Sequence, residues 1–463
     1  KTGIFIESDE NSSYSEFIFK NNNSITLASD DFSKCLKQKK ESKASYRNSF
    51  AAPFIQLVIG FEFFAAFSTI YLQGAGYSLS SLGFFFAICS PLGVAGSLIS
   101  PFLSKRFGQR NVIMANLLLH CVGDTLLLLA GISPLFLALG LGIPAMAAAG
   151  ISSLLIPFLH TSLAKSGRAD KFEAVYGKTR SIFWIGLAVS SVAGSWLAQF
   201  IGFSGVIAMS CVVITVLTIF SFISTSSIKE DLTGEKQPDS APAKGKKFFE
   251  AFKEVFKIKD LKITVILNFL VDTGLFVFLA LAVQTMLTDA GLGVGWLGVI
   301  MFAANLVQSL ASKIVEKAAS IVNNAFKRSV YFASLAVSAG AFMIFGNPVF
   351  LILFYILANF WQGAAVVIEA SKAEKNVSQG IIAYWFSAKT ALTTALSAGM
   401  QIFLCVLISN AALDAILLGI TGIITLISVF FGFAAKDRKI KINHFSKKYK
   451  FDASHIRNIL CAA

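Results

Sequence analysis

The stretch Tyr77–Arg110, YSLSSLGFFFAICSPLGVAGSLISPFLSKRFGQR, decides how the rest of the chain is read. It follows a small-residue turn, Gly74-Ala75-Gly76. An apolar run from Leu82 to Leu103 comes next, broken by small residues such as Pro91, Gly93, Gly96 and Ser97. It closes on Ser104-Lys105-Arg106-Phe107-Gly108-Gln109-Arg110. About 20 apolar residues cross the hydrocarbon core of a bilayer as one helix. A basic cluster directly after such a run marks its cytoplasmic end. The stretch therefore predicts one membrane crossing of known direction.

The pattern recurs along the chain. Apolar runs at 51–73, 80–103, 112–132, 135–158, 180–200, 204–226, 262–286, 296–312, 328–345, 348–370, 381–408 and 411–434 give twelve expected spans. The sixth and seventh are separated by a polar segment, 228–260, with Pro238, Pro242, Gly245 and a lysine-rich second half. The expected fold is an all-α integral membrane protein, with twelve transmembrane helices in two six-helix halves. Its divisions are a disordered cytoplasmic tail (1–50), a first half (51–227), a cytoplasmic linker (228–260), a second half (261–435) and a basic cytoplasmic tail (436–463). Within the linker, Phe248, Phe249, Phe252 and Phe256 recur at helical spacing among lysines, a pattern suited to the membrane surface. The chain begins at Lys1, so a processed or incomplete start is expected, and residues 1–50 lack the apolar core of a signal peptide.

Composition agrees. The chain is 55% hydrophobic with 14% charged residues and a mean hydropathy of +0.69, against about 25% charged in soluble proteins. A net charge of +14 raises the question of nucleic acid, and the distribution of charge answers it. Of the 40 Lys and Arg residues, 39 fall in segments expected on one side, and the remaining one, Lys389, lies inside a span. The expected outer loops carry none, so both termini are placed in the cytoplasm. The basic balance then belongs beside an anionic leaflet, and no nucleic-acid partner is expected. The six cysteines show no C-x-x-C spacing and read as small buried hydrophobes. Neither a Walker-type Gly-x(4)-Gly-Lys-Ser/Thr nor a metal-ligand pattern occurs, so no cofactor, metal or ATP-driven step is expected.

The segment around Lys105 resembles the loop after the second helix in the major facilitator superfamily of transporters, which reads G-x-L-A-D-R-x-G-R-R. Leu103, Arg106, Gly108 and Arg110 match; Pro101 stands at the first Gly and Lys105 at the Asp. The segments Leu163–Phe172 and Tyr176-Gly177-Lys178-Thr179-Arg180 are similar to the loop between helices 4 and 5 in many bacterial members. In helix 5, Gly186 and Gly194 match the G-x-x-x-G-P-x-x-G-G of proton-coupled drug antiporters, while Ser190, Ser191 and Ser195 replace Gly, Pro and Gly. The resemblance implies a monomeric, non-enzymatic transporter of a small-molecule substrate in a bacterial inner membrane. It also implies a cavity lined by helices 1, 4, 7 and 10, a contact between halves built from helices 2, 5, 8 and 11, and a gating loop at Lys105, Arg106, Gly108 and Arg110. Multidrug efflux, a non-transporting sensor and a membrane enzyme are the competing readings.

Ionisable residues inside spans point to candidate sites, because each costs about 2.5–3.5 kcal/mol on insertion scales. Glu62 and Asp272 lie in the first helix of each half, and with Lys389 of helix 11 they are the proton-coupling candidates. Asn268, four residues before Asp272, shares its helical face. Helix 10 carries a polar stripe, Asn359, Gln362 and Glu369, flanked by Trp361. Asn268, Asn359, Trp361 and Gln362 are the expected cavity residues, and Glu369 is expected to be solvated beside Lys372 and Lys375. Lys389 is expected to pair with a carboxylate, with Asp272 the leading partner. His120 and Asp124, spaced i,i+4 on helix 3, are expected to form a structural pair.

Overall fold

A computed structural model describes residues 51–165, 167–226, 259–376 and 379–448. The expected tail 1–50, the phenylalanine stripe at 248–256 and residues 449–463 lie outside the described residues. Among the described residues every regular element is helical. The first part of the chain forms α1 (Ala51–Gly60), α2 (Ser68–Gly74), α3 (Leu79–Phe107), α4 (Gln109–Leu127), α5 (Pro134–Lys165) and α6 (Phe172–Ser226). The second forms α7 (Lys259–Leu270), a π-helical segment (Val271–Phe276), α8 (Val277–Asp289), α9 (Val294–Lys313), α10 (Val315–Asn323), α11 (Ala325–Phe345), α12 (Pro348–Asn376), α13 (Gln379–Asn410) and α14 (Leu413–Lys448).

Among the described residues nine helices are long and apolar enough to cross a membrane. Local chemistry explains why this differs from the expected spans. The run 51–73 is not one helix: it is interrupted between α1 and α2, at Phe61–Phe67. Helix α4 has 19 residues and buries Asn116, His120 and Asp124, which lower its apolarity. Helix α6 is continuous except at Gly202, whose φ of 71° is open to glycine and divides the helix at the boundary the sequence places between spans five and six. The last helix runs on to Lys448, into the basic stretch read from sequence as a tail.

Side chains such as Phe102, Ile132, Phe200, Val337 and Leu426 are exposed on the outside of the bundle. A continuous apolar exterior of this kind suits hydrocarbon rather than water. Inside, α3 packs on α5, α1 packs on α6, α9 packs on α12, and α11 packs on α14. The parts before and after the linker meet where α3 lies along α13 and where α6 lies along α9. These are helices 2, 11, 5 and 8 of the sequence reading, the four that the resemblance places at this contact.

The parts are also joined by polar contacts at both ends. At the end carrying the loop around Lys105, Glu173 accepts from Ser371 (2.5 Å) and from Lys375 (2.9 Å), and His160 lies 3.5 Å from Glu374. At the opposite end, Thr285 donates to Gln73 (2.9 Å), Ser80 donates to the Cys405 carbonyl (3.1 Å), and Gln284 bonds to the backbone around α2.

Candidate functional site

Two groups of ionisable side chains lie in the interior, one between the two parts and one within the first. The central group draws on α6, the π-helical segment, α12 and α13. Lys389 does carry an ion pair, and its partner is Glu369: Nζ to Oε1 is 2.8 Å. Glu369 is not solvated at the helix end, as the sequence suggested; its side chain is 1% exposed, against 21% for Lys389. Its second oxygen accepts from Asn268 Nδ2 at 2.6 Å, and that amide also donates to the Ala365 carbonyl at 3.2 Å. Asn268 thus braces the Glu369–Lys389 pair instead of extending a face beside Asp272.

Asp272 sits in the π-helical segment Val271–Phe276, which makes a local irregularity in the span Ile263–Asp289. Such bulges are frequently found at functional sites. Gln362 hydrogen-bonds to the Asp272 carboxylate, and its Oε1 accepts from Gln308 Nε2 at 2.6 Å. The charged groups acting on Asp272 are Lys389, Glu369 and Arg180.

Arg180 is the residue sequence reasoning missed. It stands in the segment counted as an inner loop, whereas α6 starts eight residues earlier, at Phe172, and carries Arg180 into the bundle. Its Nη1 donates to Gln56 Oε1 at 3.1 Å, and its guanidinium lies 4.8 Å from the Phe183 ring and 4.9 Å from the Trp184 ring. No carboxylate oxygen of a described residue lies within 4.0 Å of it. A cation–π pair of rings holds a guanidinium in place without neutralising it. The signal available in the sequence was the helical continuity of Phe172, Tyr176 and Arg180, which a hydropathy window starting at residue 180 conceals.

Other expected cavity residues have different surroundings. Trp361 is buried against Phe332 (4.5 Å) and Tyr331 (5.8 Å) of α11, and Asn359 donates to the Tyr355 carbonyl of its own helix at 2.8 Å. In the expected gating loop, Lys105 and Arg106 end α3, with Arg106 5.3 Å from the Phe107 ring. Gly108 is the joint to α4, with its N–H on the Ser104 carbonyl at 3.0 Å. Arg110 lies in the first turn of α4.

The second group is in the first part. His120 Nε2 lies 3.3 Å from Glu62 and 3.6 Å from Asp124, so the expected pair is a set of three. The imidazole is anchored by a hydrogen bond to the Pro144 backbone of α5. Exposure falls steadily inward: the Glu62 side chain is 29% exposed, His120 11% and Asp124 2%.

Glu62 is positioned by the interruption between α1 and α2, and α6 makes that interruption possible. Backbone groups freed from a helix must find partners inside a membrane. Ser190 Oγ lies within hydrogen-bonding reach of the Gly60 carbonyl (3.1 Å) and the Glu62 carbonyl (3.3 Å). Phe63 N–H donates to Ser210 Oγ at 3.4 Å. Gly194 lies so close to the Phe63 carbonyl that no side chain would fit there. On the far side, Gln284 of α8 accepts from Thr69 N–H (2.9 Å) and donates to the Ala65 carbonyl (2.8 Å).

An all-helical bundle with an apolar exterior, seamed between two parts and charged at the seam, defines an integral membrane protein with a polar interior. The sequence profile of the Major Facilitator Superfamily matches residues 50–388, and the chain belongs to that family. No curated protein matches the chain. Among solved structures, it is similar to the nucleoside transporter NupG, at 15% identity and a TM-score of 0.59, over 84% of this chain and 98% of that one. The human organic anion transporter MFSD10 gives 12% and 0.57, over 83% and 99%. The POT family transporter PepTSo gives 13% and 0.56, over 85% and 98%. At these identities the likeness concerns the fold.

Proposed function

We propose that the chain is a secondary transporter that moves a small organic solute by alternating access between two six-helix halves. Twelve spans follow when α1 with α2, and α7 with α8, each count as one crossing, Gly202 divides α6 in two, and the nine-residue α10 is too short to cross. The solute site is the central group, with Arg180 and Asp272 as the recognition pair and Gln362 beside them. The observation that carries this reading is Arg180: an interior cation between the halves, held by two ring faces and one neutral amide, with no carboxylate of a described residue in ion-pair range. An interior charge left in that state is costly unless something pairs with it for part of the cycle. Glu369 and Lys389 satisfy each other and serve as the fixed frame.

The contacts at the two ends are then the alternating gates. The gate with Glu173, Lys375, His160 and Glu374 faces the cytoplasm, and the one with Gln284, Thr285 and Ser80 faces outside. Both termini are cytoplasmic in this reading, which fits a monomer in a bacterial inner membrane. Single cysteines at Asp289 and Ser409 should label from outside intact cells, whereas those at Ser166 and Gln237 should not.

A thermal-shift screen tests the solute site. The solutes to start from are nucleosides and organic anions, the classes named for two of the structural neighbours. A ligand at 100 times its Kd stabilises by about 2.7 kcal/mol. Solutes that raise the melting temperature of the wild type should fail to do so in Arg180→Gln. A hit that shifts both proteins equally binds elsewhere and removes Arg180 from the site.

A further inference from the structure

We propose that Glu62, His120 and Asp124 form a proton-binding site, and that this site operates the gate closed by Gln284. The proposal rests on the alternating-access reading for its use, but its chemistry stands on geometry outside the central group. Two carboxylates share one imidazole nitrogen, at 3.3 and 3.6 Å. With all three groups ionised, the set carries an unbalanced negative charge; one more proton makes it neutral. The charged groups acting on Asp124 are His120 and Glu62, and no Lys or Arg among the described residues balances the set. The other titratable groups facing it are Cys121 on α4, hydrogen-bonded by Thr215 and Thr218, and Cys211 on α6, hydrogen-bonded by Thr125.

The proton enters at Glu62, the exposed member of the set. Its effect is carried by the segment on which Glu62 stands. Phe61–Phe67 is held at one end by the Glu62–His120 contact and by Ser190. At the other end it is stitched to the second half through Gln284, on Ala65 and Thr69. A proton on a Glu62 carboxylate oxygen removes the charge that draws Glu62 to His120. Of these two holds only Ser190 then remains at that end, and the contacts of Gln284 at the other end loosen. Loss of the proton to water restores the charge, and the gate closes. No bond other than the O–H of Glu62 is made or broken, and the proton is the only species exchanged.

The test measures the distance between spin labels on non-natural amino acids at 132 and 289, which leaves the six native cysteines in place. These positions lie on opposite halves at the Gln284 end, and both are exposed. The full chain is titrated from about pH 8 to about pH 4, a range that spans ordinary histidine and carboxyl titration. The wild type should gain a longer-distance population as pH falls. Glu62→Gln, which mimics the protonated acid, should show that population at every pH. Asp124→Asn leaves one acid to the imidazole, so it should stay short to lower pH than the wild type. Gln284→Ala should be long throughout, because the latch itself is gone. A Glu62→Gln protein that keeps the wild-type pH response overturns the proposal, as does an Asp124→Asn protein that titrates like the wild type. A wild type with one unchanging distance, while Gln284→Ala is long, refutes proton operation and leaves the gate. If no protein shows a second distance, the alternating-access reading fails, and the proposal fails with it.

Discussion

The two interior charge groups differ in balance, and the difference separates the roles proposed for them. At the seam between halves, Arg180 and Lys389 face Asp272 and Glu369, two cations for two acids. Half of that set is locked, with both Glu369 oxygens occupied by Lys389 and Asn268. Within the first half, two acids share His120, and the outermost acid stands on an interrupted helix. A balanced, braced group can stay charged through a cycle and recognise a solute. An unbalanced group on an interrupted helix is suited to taking up a proton. Charge count and backbone continuity, more than the presence of a carboxylate in a span, distinguish the two.

Breaking the braced pair should have the largest effect. Glu369→Gln leaves Lys389 with its charge and without its partner, and loss of one member of a buried pair costs roughly 3–5 kcal/mol. Thermal unfolding in detergent should show that loss, and Lys389→Met added to it should recover most of it. Failure of the double variant to recover would mean that Glu369 acts through Asn268 and the packing of α12 rather than through Lys389.

Glu62→Gln sharpens the comparison from the other side. The position is partly exposed and only one polar contact is lost, so the stability change should be about 1 kcal/mol or less. A loss as large as that of Glu369→Gln would show the second group to be as rigidly structural as the first. The same melting measurements decide it.

Much of the fold was legible in sequence, because hydropathy and one-sided charge are properties of whole segments. The division at Gly202 and the internal position of Lys389 agree with that reading, and the meeting of helices 2, 5, 8 and 11 agrees with the family resemblance. The site was legible only by residue type. Lys389 was expected to need a carboxylate, but Glu369, at the end of a polar stripe, looked solvated; the helix continues to Asn376 and buries it. The contact of Glu62 with His120 joins residues 58 positions apart, and no local pattern announces it. The interruption at 61–67 was also hidden, since Phe61, Phe63, Phe64 and Phe67 read as an uninterrupted apolar run. Its cause lies in partners on other helices.

Ser190 gives the smallest and most specific test of that cause. In the antiporter pattern this position is glycine; here its hydroxyl reaches the Gly60 and Glu62 carbonyls that the interruption frees. The Leu187 carbonyl of its own helix is also in range at 3.2 Å, so the hydroxyl has an alternative within α6 and its contribution is shared. A single hydrogen bond of this kind contributes about 1 kcal/mol net, and a buried carbonyl left without it costs about 1–3 kcal/mol. Ser190→Ala should therefore lower stability by roughly 1–2 kcal/mol. Hydrogen exchange should reveal where the loss falls. Amides of the segment around Glu62 and of α2 should exchange faster, while those of α9 and α12 around the central group should not change. Faster exchange spread evenly over both halves would mean that Ser190 supports the packing of α6 on α9 and not the interruption in the first span.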